Sequence, residues 1–266
     1  MSRPKLSIIV PTLNEERYIA GLLGSINAQR SESIDIEVIV IDGGSVDRTV
    51  EIARSQGARV IVYRGLGEFA SRNLGAEEAT GDILVFTCAD VIFPPNLLRG
   101  VAEKFRRGPA LIALSGPGIP YDAPLTGHLL YGFYNAFRLL LGKLPRPLQR
   151  FSTSTNFLAV WRSAFFEAGA FDPEDVNADG LMGAKLLRMG RVEFSPNTYV
   201  YISTRRLRGM GLASFILHYL YVLENFFPPL SNSGLIRRRK FVSRLVHGKL
   251  HIALESQDLN KMQANS

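Results

Sequence analysis

The sequence predicts an α/β protein built on a mostly parallel, doubly wound sheet. Three observations carry that expectation. Apolar runs rich in Val and Ile recur at Lys5–Val10, Ile36–Ile41, Ala58–Tyr63 and Ile83–Thr87. They have the length of strands and are nearly continuous, as strands covered on both faces are. Between them lie segments with helical spacing and short connections, which selects right-handed strand–helix–strand crossovers.

Taken in order, Lys5–Val10 is the first strand and meets Pro11, a poor ladder residue. Tyr18, Ile19, Leu22, Leu23 and Ile26 then recur at helical spacing, with Glu15 and Glu16 expected in a first turn that favours acids. The second strand closes at Asp42-Gly-Gly-Ser45, and Ser45 is expected to cap a helix running through Val50, Ile52 and Ala53 to Gly57. After the third strand, Glu68–Ala79 is a helix that Gly81 stops. The central strand Ile83–Thr87 ends at Cys88-Ala-Asp90, ahead of Pro94-Pro95. Further on, Leu125–Leu144 is apolar on most faces, Thr155–Trp161 is a strand, Leu181–Met189 a helix, and a Tyr/Val strand precedes Ser203.

At 266 residues the chain can bury a sizeable core. A single cysteine excludes an internal disulfide and suits a reducing compartment, and no Cys/His spacing offers a zinc site. Ile8–Val10 is too short for the apolar core of a signal peptide, and no run reaches the roughly 18 apolar residues of a spanning helix. The formal charge is +7. Its late clusters, Arg205-Arg206-Leu-Arg208 and Arg237–Lys240, come without a nucleic-acid motif, so phosphorylated ligands or an anionic membrane surface are expected and nucleic acid is not.

Three strands therefore end in polar loops carrying Glu15, Asp42 and Asp90 on one edge, where open α/β sheets bind ligands. No glycine-rich dinucleotide fingerprint or phosphate loop follows the first strand. Nucleotide binding would rest instead on carboxylates and a hard cation bridging phosphates.

Pro11-x-x-Asn14-Glu15, Asp42-Gly-Gly-Ser-x-Asp47-x-Thr49, Arg72-Asn73-x-Gly75 and Cys88-x-Asp90, in that order, resemble the family 2 glycosyltransferases. The resemblance covers roughly residues 5 to 208 and implies the glycosyltransferase A fold. By that resemblance Pro11, Leu13 and Glu15 line the base and ribose pocket, Asp42 contacts the base, and Arg72 closes over the nucleotide. Asp90 would bind one divalent cation, Mn2+ or Mg2+, on the diphosphate. The family usually has Asp-x-Asp, and Cys88 stands where the first Asp belongs; sulfur suits Mg2+ poorly and Mn2+ somewhat better.

The family also carries Glu-Asp about ten residues before a glycine that closes the following helix. Measured back from Gly190, the pair falls on Ala178 and Asp179, which makes Asp179 the candidate general base. Glu174-Asp175, a literal Glu-Asp pair, is the alternative. Arg205 and Arg206 match family positions near the donor phosphates, where the planar guanidinium fork is suited.

The expected organisation is a catalytic domain over residues 1–208, including an apolar helix at 124–144, and a helical, membrane-associating region over 209–266. Leu125–Leu144 and Leu212–Phe227 read as interfacial helices or as faces of a homodimer. The expected activity is inverting transfer of a hexose, with a lean to mannose, from GDP-mannose or a UDP-sugar. The acceptor would be polyprenyl or dolichyl lipid-linked, at the cytoplasmic face of the cell membrane. Two rivals remain: a sugar-phosphate nucleotidyltransferase, which would want a glycine-rich basic loop after the first strand, and a non-catalytic homologue, prompted by Cys88 and Ala178.

Overall fold

The computed structural model describes residues 4–143, 153–173 and 178–205. The chain divides into two compact units, Met1–Ser203 and Thr204–Ser266, and every element below belongs to the first. The elements are β1 (Lys5–Thr12), α1 (Ile19–Asn27), β2 (Asp35–Asp42), α2 (Thr49–Ser55), β3 (Arg59–Val62), α3 (Glu68–Glu78), β4 (Ile83–Thr87), β5 (Val91–Ile92) and α4 (Leu97–Arg107). There follow β6 (Leu111–Ser115), β7 (Gly118–Pro120), α5 (Leu125–Leu141), β8 (Phe157–Trp161), α6 (Arg162–Glu167), α7 (Ala178–Met189), β9 (Arg191–Phe194) and β10 (Val200–Ile202).

The Val/Ile runs form a seven-stranded sheet in the order β3-β2-β1-β4-β8-β6-β9. Its first four strands are parallel, so β1, β2 and β4 present their C-terminal ends to one edge. Strand β8 runs antiparallel to both β4 and β6, a direction that residue pattern does not encode. Every residue of β4 is buried. One face of the sheet meets an aromatic cluster in which Phe86 lies 4.9 Å from Phe165 and 5.0 Å from Phe171. On this face α3 crosses close: a Cβ on Gly75 would stand 2.4 Å from Ile9 Cγ2. The glycine of the Arg72-Asn73-x-Gly75 motif is thus required by packing. Asn73 ties α3 to the chain ahead of α7, donating to Phe171 O and accepting from Phe171 N.

A second sheet, β5-β10-β7, is built from strands of two or three residues. Strands so short carry no periodic signal.

Three local expectations are corrected. Ser45 does not cap α2, which begins at Thr49 after Arg48; Ser45 is bound into the turn that ends β2. Glu15 and Glu16 precede the first turn of α1, which holds no acid. Helix α7 begins at Ala178 rather than at Leu181, so Asp179 lies within its first turn.

Helix α5 turns Tyr131, Arg138 and Leu141 inward, while Leu125, Leu129, Phe133, Phe137 and Leu140 are exposed in a row three or four residues apart. No described helix is long and apolar enough to cross a membrane. Leu212–Phe227 and Arg237–Lys240 lie outside the described residues.

Candidate active site

The β1 and β2 ends form one knot. The strands pair in register up to Thr12 opposite Asp42. Asp42 is fully buried and accepts four hydrogen bonds: Gly44 N at 3.0 Å and Ser45 N at 2.8 Å on one oxygen, Thr12 Oγ1 at 3.0 Å and Ser45 Oγ at 2.5 Å on the other. Asn14, at φ 54°, donates from its backbone to Ser45 Oγ and accepts from Val46 N. Glu15 N donates to Thr49 Oγ1, and Glu16 N to Asp47 Oδ2. The two polar motifs read from the sequence are therefore halves of a single hydrogen-bonded turn system. Asp42 builds it, with its carboxylate directed into the turn. Leu13 stands 39% exposed on the open side, with Pro11 and the Glu15 side chain half-buried beside it in sequence.

Arg72 has no exposed surface. One terminal nitrogen donates to Thr87 O at 2.8 Å and the other to Glu68 Oε1 at 2.8 Å and Cys88 Sγ at 3.3 Å. Burial opposes its charge, yet Cys88 and Glu68 outweigh that and raise its pKa. The guanidinium therefore clamps α3 to the end of β4; its terminal nitrogens point into the protein and not over a ligand.

Asp90 follows, half-buried, where the second sheet fastens it. Ser203 N donates to Asp90 O at 3.2 Å, and Ser203 Oγ donates to Asp122 Oδ2 at 2.7 Å. Tyr121, just past β7, is bound through its N–H to Ile202 O. Burial, with Asp122 and Asp90 nearby, keeps the Tyr121 hydroxyl protonated above its ordinary pKa, against an opposing bond with Ser203. Tyr121, Asp122 and Ser203 thus join Asp90; the sequence marked the strand before Ser203 but not Tyr121 or Asp122, whose strand β7 has only three residues.

Among the described residues no group of three or more His, Cys, Asp or Glu side chains is arranged to hold a metal ion. Cys88 is turned to Arg72 and to Thr155 O and Asn156 Oδ1 at 3.9 and 3.8 Å. Asp90 offers a hard oxygen of the kind a divalent cation takes when phosphates and water complete its shell. A cation at Asp90 would therefore depend on phosphates and water for the rest of its shell.

Asp179 sits where α7 begins, its carbonyl accepting from Thr153 Oγ1 at 3.0 Å and its Oδ1 from Gly180 N at 2.8 Å. Burial pushes its pKa up and Glu68 adds to this, while Gly180 N–H, Arg138 and Arg72 oppose it. Thr153, which binds Asp179, lies two residues before Thr155, whose carbonyl Cys88 Sγ approaches at 3.9 Å, so one segment links the buried acid to the end of β4. Arg138 and Tyr134 on α5 are near enough to interact with the same acid electrostatically, Arg138 favouring its charged form.

Arg205 falls in the second unit, which begins at Thr204; Arg206, Glu174 and Asp175 lie outside the described residues. A separate surface cavity of about 430 Å³ is lined by Glu103, Lys104, Arg107, Arg191 and Glu193, away from these strand ends, and its cations are paired with its acids.

The family model described as Glycosyl transferase family 2 matches residues 7–167. A 4,4'-diaponeurosporenoate glycosyltransferase of Staphylococcus haemolyticus is 41% identical over 110 residues, 38% of this chain and 28% of that protein. A PGL/p-HBAD biosynthesis glycosyltransferase of Mycobacterium bovis is 38% identical over 34% of this chain and 37% of its own length. The matches thus cover about a third of these curated relatives' length. Among solved structures, the mannosyltransferase PcManGT of Pyrobaculum calidifontis, in complex with GDP-Man and Mn2+, aligns at TM-score 0.61 and 20% identity over 100% of this chain and 77% of that one. TarS of S. aureus aligns at TM-score 0.60 and 21% identity over 75% and 60%. These likenesses establish a shared fold, that of the glycosyltransferase A class.

Proposed function

This chain belongs to glycosyl transferase family 2, and on that premise we propose that it is a nucleotide-sugar-dependent glycosyltransferase transferring a hexose, with inversion, to a lipid-linked acceptor. What supports the reading is the β1–β2 turn system and Asp90 at one sheet edge, with the buried acid Asp179 bound to Thr153, two residues before the Thr155 carbonyl that Cys88 approaches at the end of β4.

In this reading the base and ribose lie against Pro11, Leu13 and Glu15, and the diphosphate lies at Asp90. A divalent cation bound there with the phosphates, Mn2+ or Mg2+, would neutralise the departing diphosphate. Asp179 takes the acceptor hydroxyl proton while the acceptor oxygen bonds to the anomeric carbon and the bond to the diphosphate oxygen breaks. A carboxylate raised by burial is the stronger base for that transfer, and Arg138 and Arg72 favour its charged form. One displacement with one base inverts the configuration.

The lipid acceptor, polyprenyl or dolichyl, is supported by α5. Its outer row of Leu125, Leu129, Phe133, Phe137 and Leu140 has no acid among it, while Arg138 on the same helix is buried and interacts electrostatically with Asp179. Such a face suits peripheral attachment at the cytoplasmic side of an anionic membrane, consistent with the +7 charge. GDP-mannose is the first donor to test, following the lean to mannose in the sequence reading.

Release of nucleoside diphosphate from a panel of GDP- and UDP-sugars, with Mn2+ and a glycan carried on polyprenyl phosphate, whose hydroxyl supplies the proton that Asp179 takes, tests the reading. The expected result is acceptor-stimulated release from one donor class. A protein that binds GDP or UDP but turns over no sugar nucleotide under any of these conditions would contradict it.

A further inference from the structure

We propose that Arg64, in the loop after β3, is the cation that meets the nucleotide, and that it reads the edge of a guanine base. This rests on the donor reading above and adds the residue that selects the base. Asp42 has both oxygens engaged in the turn and no exposed surface, and Arg72 is buried with its terminal nitrogens on Thr87, Glu68 and Cys88. Neither side chain reaches the open side of the strand ends.

Arg64 does. Its stem lies on the β2 turn: a Cβ on Gly44 would stand 2.8 Å from Arg64 Cγ, and Gly44 itself has φ +104°, a left-handed conformation that favours glycine. The neighbouring Gly43 would place a Cβ 3.6 Å from Leu13 Cδ1. The Arg64 stem and Leu13 thus cover the Cβ sides of the two glycines, and the exposed parts of these side chains border a floor of half-buried backbone. The arginine is held there by its backbone neighbours, since Tyr63 N donates to Asp42 O at 2.8 Å and Gly65 N to Gly43 O at 3.3 Å. Its side chain is exposed and makes no hydrogen bond or ion pair among the described residues, whereas Arg48 and Arg59 are paired with Glu51 and Glu78.

A flat base set on that floor against Leu13 presents its edge to the guanidinium. Arg donates two parallel N–H groups, which match the adjacent N7 and O6 acceptors of guanine; the pyrimidine edge of uracil offers no such pair. Guanine nucleotides are therefore preferred.

The test is calorimetric titration of GDP and UDP, with Mn2+, into wild-type protein, Arg64→Gln and Arg64→Lys. Both variants alter an exposed side chain and should melt with the wild type, a control taken in parallel. Wild type should favour GDP. Arg64→Gln should weaken GDP by about fivefold or more while leaving UDP within about twofold, which is the loss of one bidentate base contact. Arg64→Lys should not restore GDP, because an ammonium lacks the fork. Unchanged GDP affinity in Arg64→Gln overturns the inference, as does wild-type preference for UDP. Equal weakening of GDP and UDP overturns it in favour of a phosphate contact. Wild type that binds neither nucleotide overturns the donor reading and this inference together, whereas nucleotide binding indifferent to Arg64 leaves the donor reading standing.

Discussion

Replacing Asp42 separates a turn-building acid from a base-contacting one. In Asp42→Ala four acceptor bonds disappear. The Thr12 and Ser45 hydroxyls can rotate to other partners, but the Gly44 and Ser45 N–H groups are fixed by the turn. Each such group left without its acceptor costs about 1–3 kcal/mol, and partial access of water to the half-buried turn puts the sum at about 2–4 kcal/mol. In a folded unit of this size that lowers Tm by about 4–16 °C. Asp42→Asn behaves differently. Its Oδ1 still accepts from the two backbone N–H groups, and its amide can donate to the two hydroxyl oxygens, so Tm should fall by no more than about 4 °C, as for one weakened bond. Nucleotide affinity should stay within about threefold, as expected for a side chain that does not touch the base. Differential scanning calorimetry with nucleotide titration on both variants decides the matter. If Asp42→Asn melts with the wild type yet loses nucleotide binding, the carboxylate reads the base and the turn-building account is wrong.

Three further outcomes follow from the same geometry. Arg72→Met should destabilise by about 2–4 kcal/mol, from lost charge-assisted bonds to Thr87 O, Glu68 and Cys88; a variant with unchanged chemical denaturation but abolished nucleotide binding would make Arg72 a ligand contact after all. Mn2+ followed by electron paramagnetic resonance should bind weakly to the protein alone and tightly with a nucleoside diphosphate, and Asp90→Asn should weaken the ternary complex; tight binding to the nucleotide-free protein would mean a preformed site. Activity should fall with decreasing pH through a carboxylate pKa above the ordinary 3.8, because burial raises Asp179 and its protonated form cannot accept a proton. The linked stability has the opposite sense: a raised acid contributes stability below its unfolded pKa that is lost as pH rises through the folded one, so Asp179→Asn should be the more stable protein at neutral pH. Equal stability of variant and wild type across that window would show Asp179 to be unperturbed.

Much of the sheet was legible because its central strands are covered on both faces, and a run such as Ile83–Thr87 has no other economical fate. The direction of β8 was not, since Phe157–Trp161 has the same composition whichever way it runs. The acids of the site were visible as residues at strand ends. What each does was not, because hydrogen-bond saturation is a property of the folded turn: Asp42 and Asp47 serve the knot between β1 and α2 with their carboxylates, while Glu15 joins it through its backbone N–H. Arg72 and Arg64 lie eight residues apart in sequence, and only their burial tells the clamp from the exposed cation. Asp122 and Ser203 come together through β7 and β10, strands of three residues each, whose pairing depends on partners far along the chain.

The central claim is that Asp179 performs the proton transfer at a nucleotide-sugar site built by other residues. Single-turnover transfer and nucleotide titration on Asp179→Asn test it most directly. Nucleotide affinity should match the wild type within about twofold, and transfer should slow by about 10²–10⁴-fold, the loss of a general base. Transfer at the wild-type rate by a protein that still binds its nucleotide would contradict it.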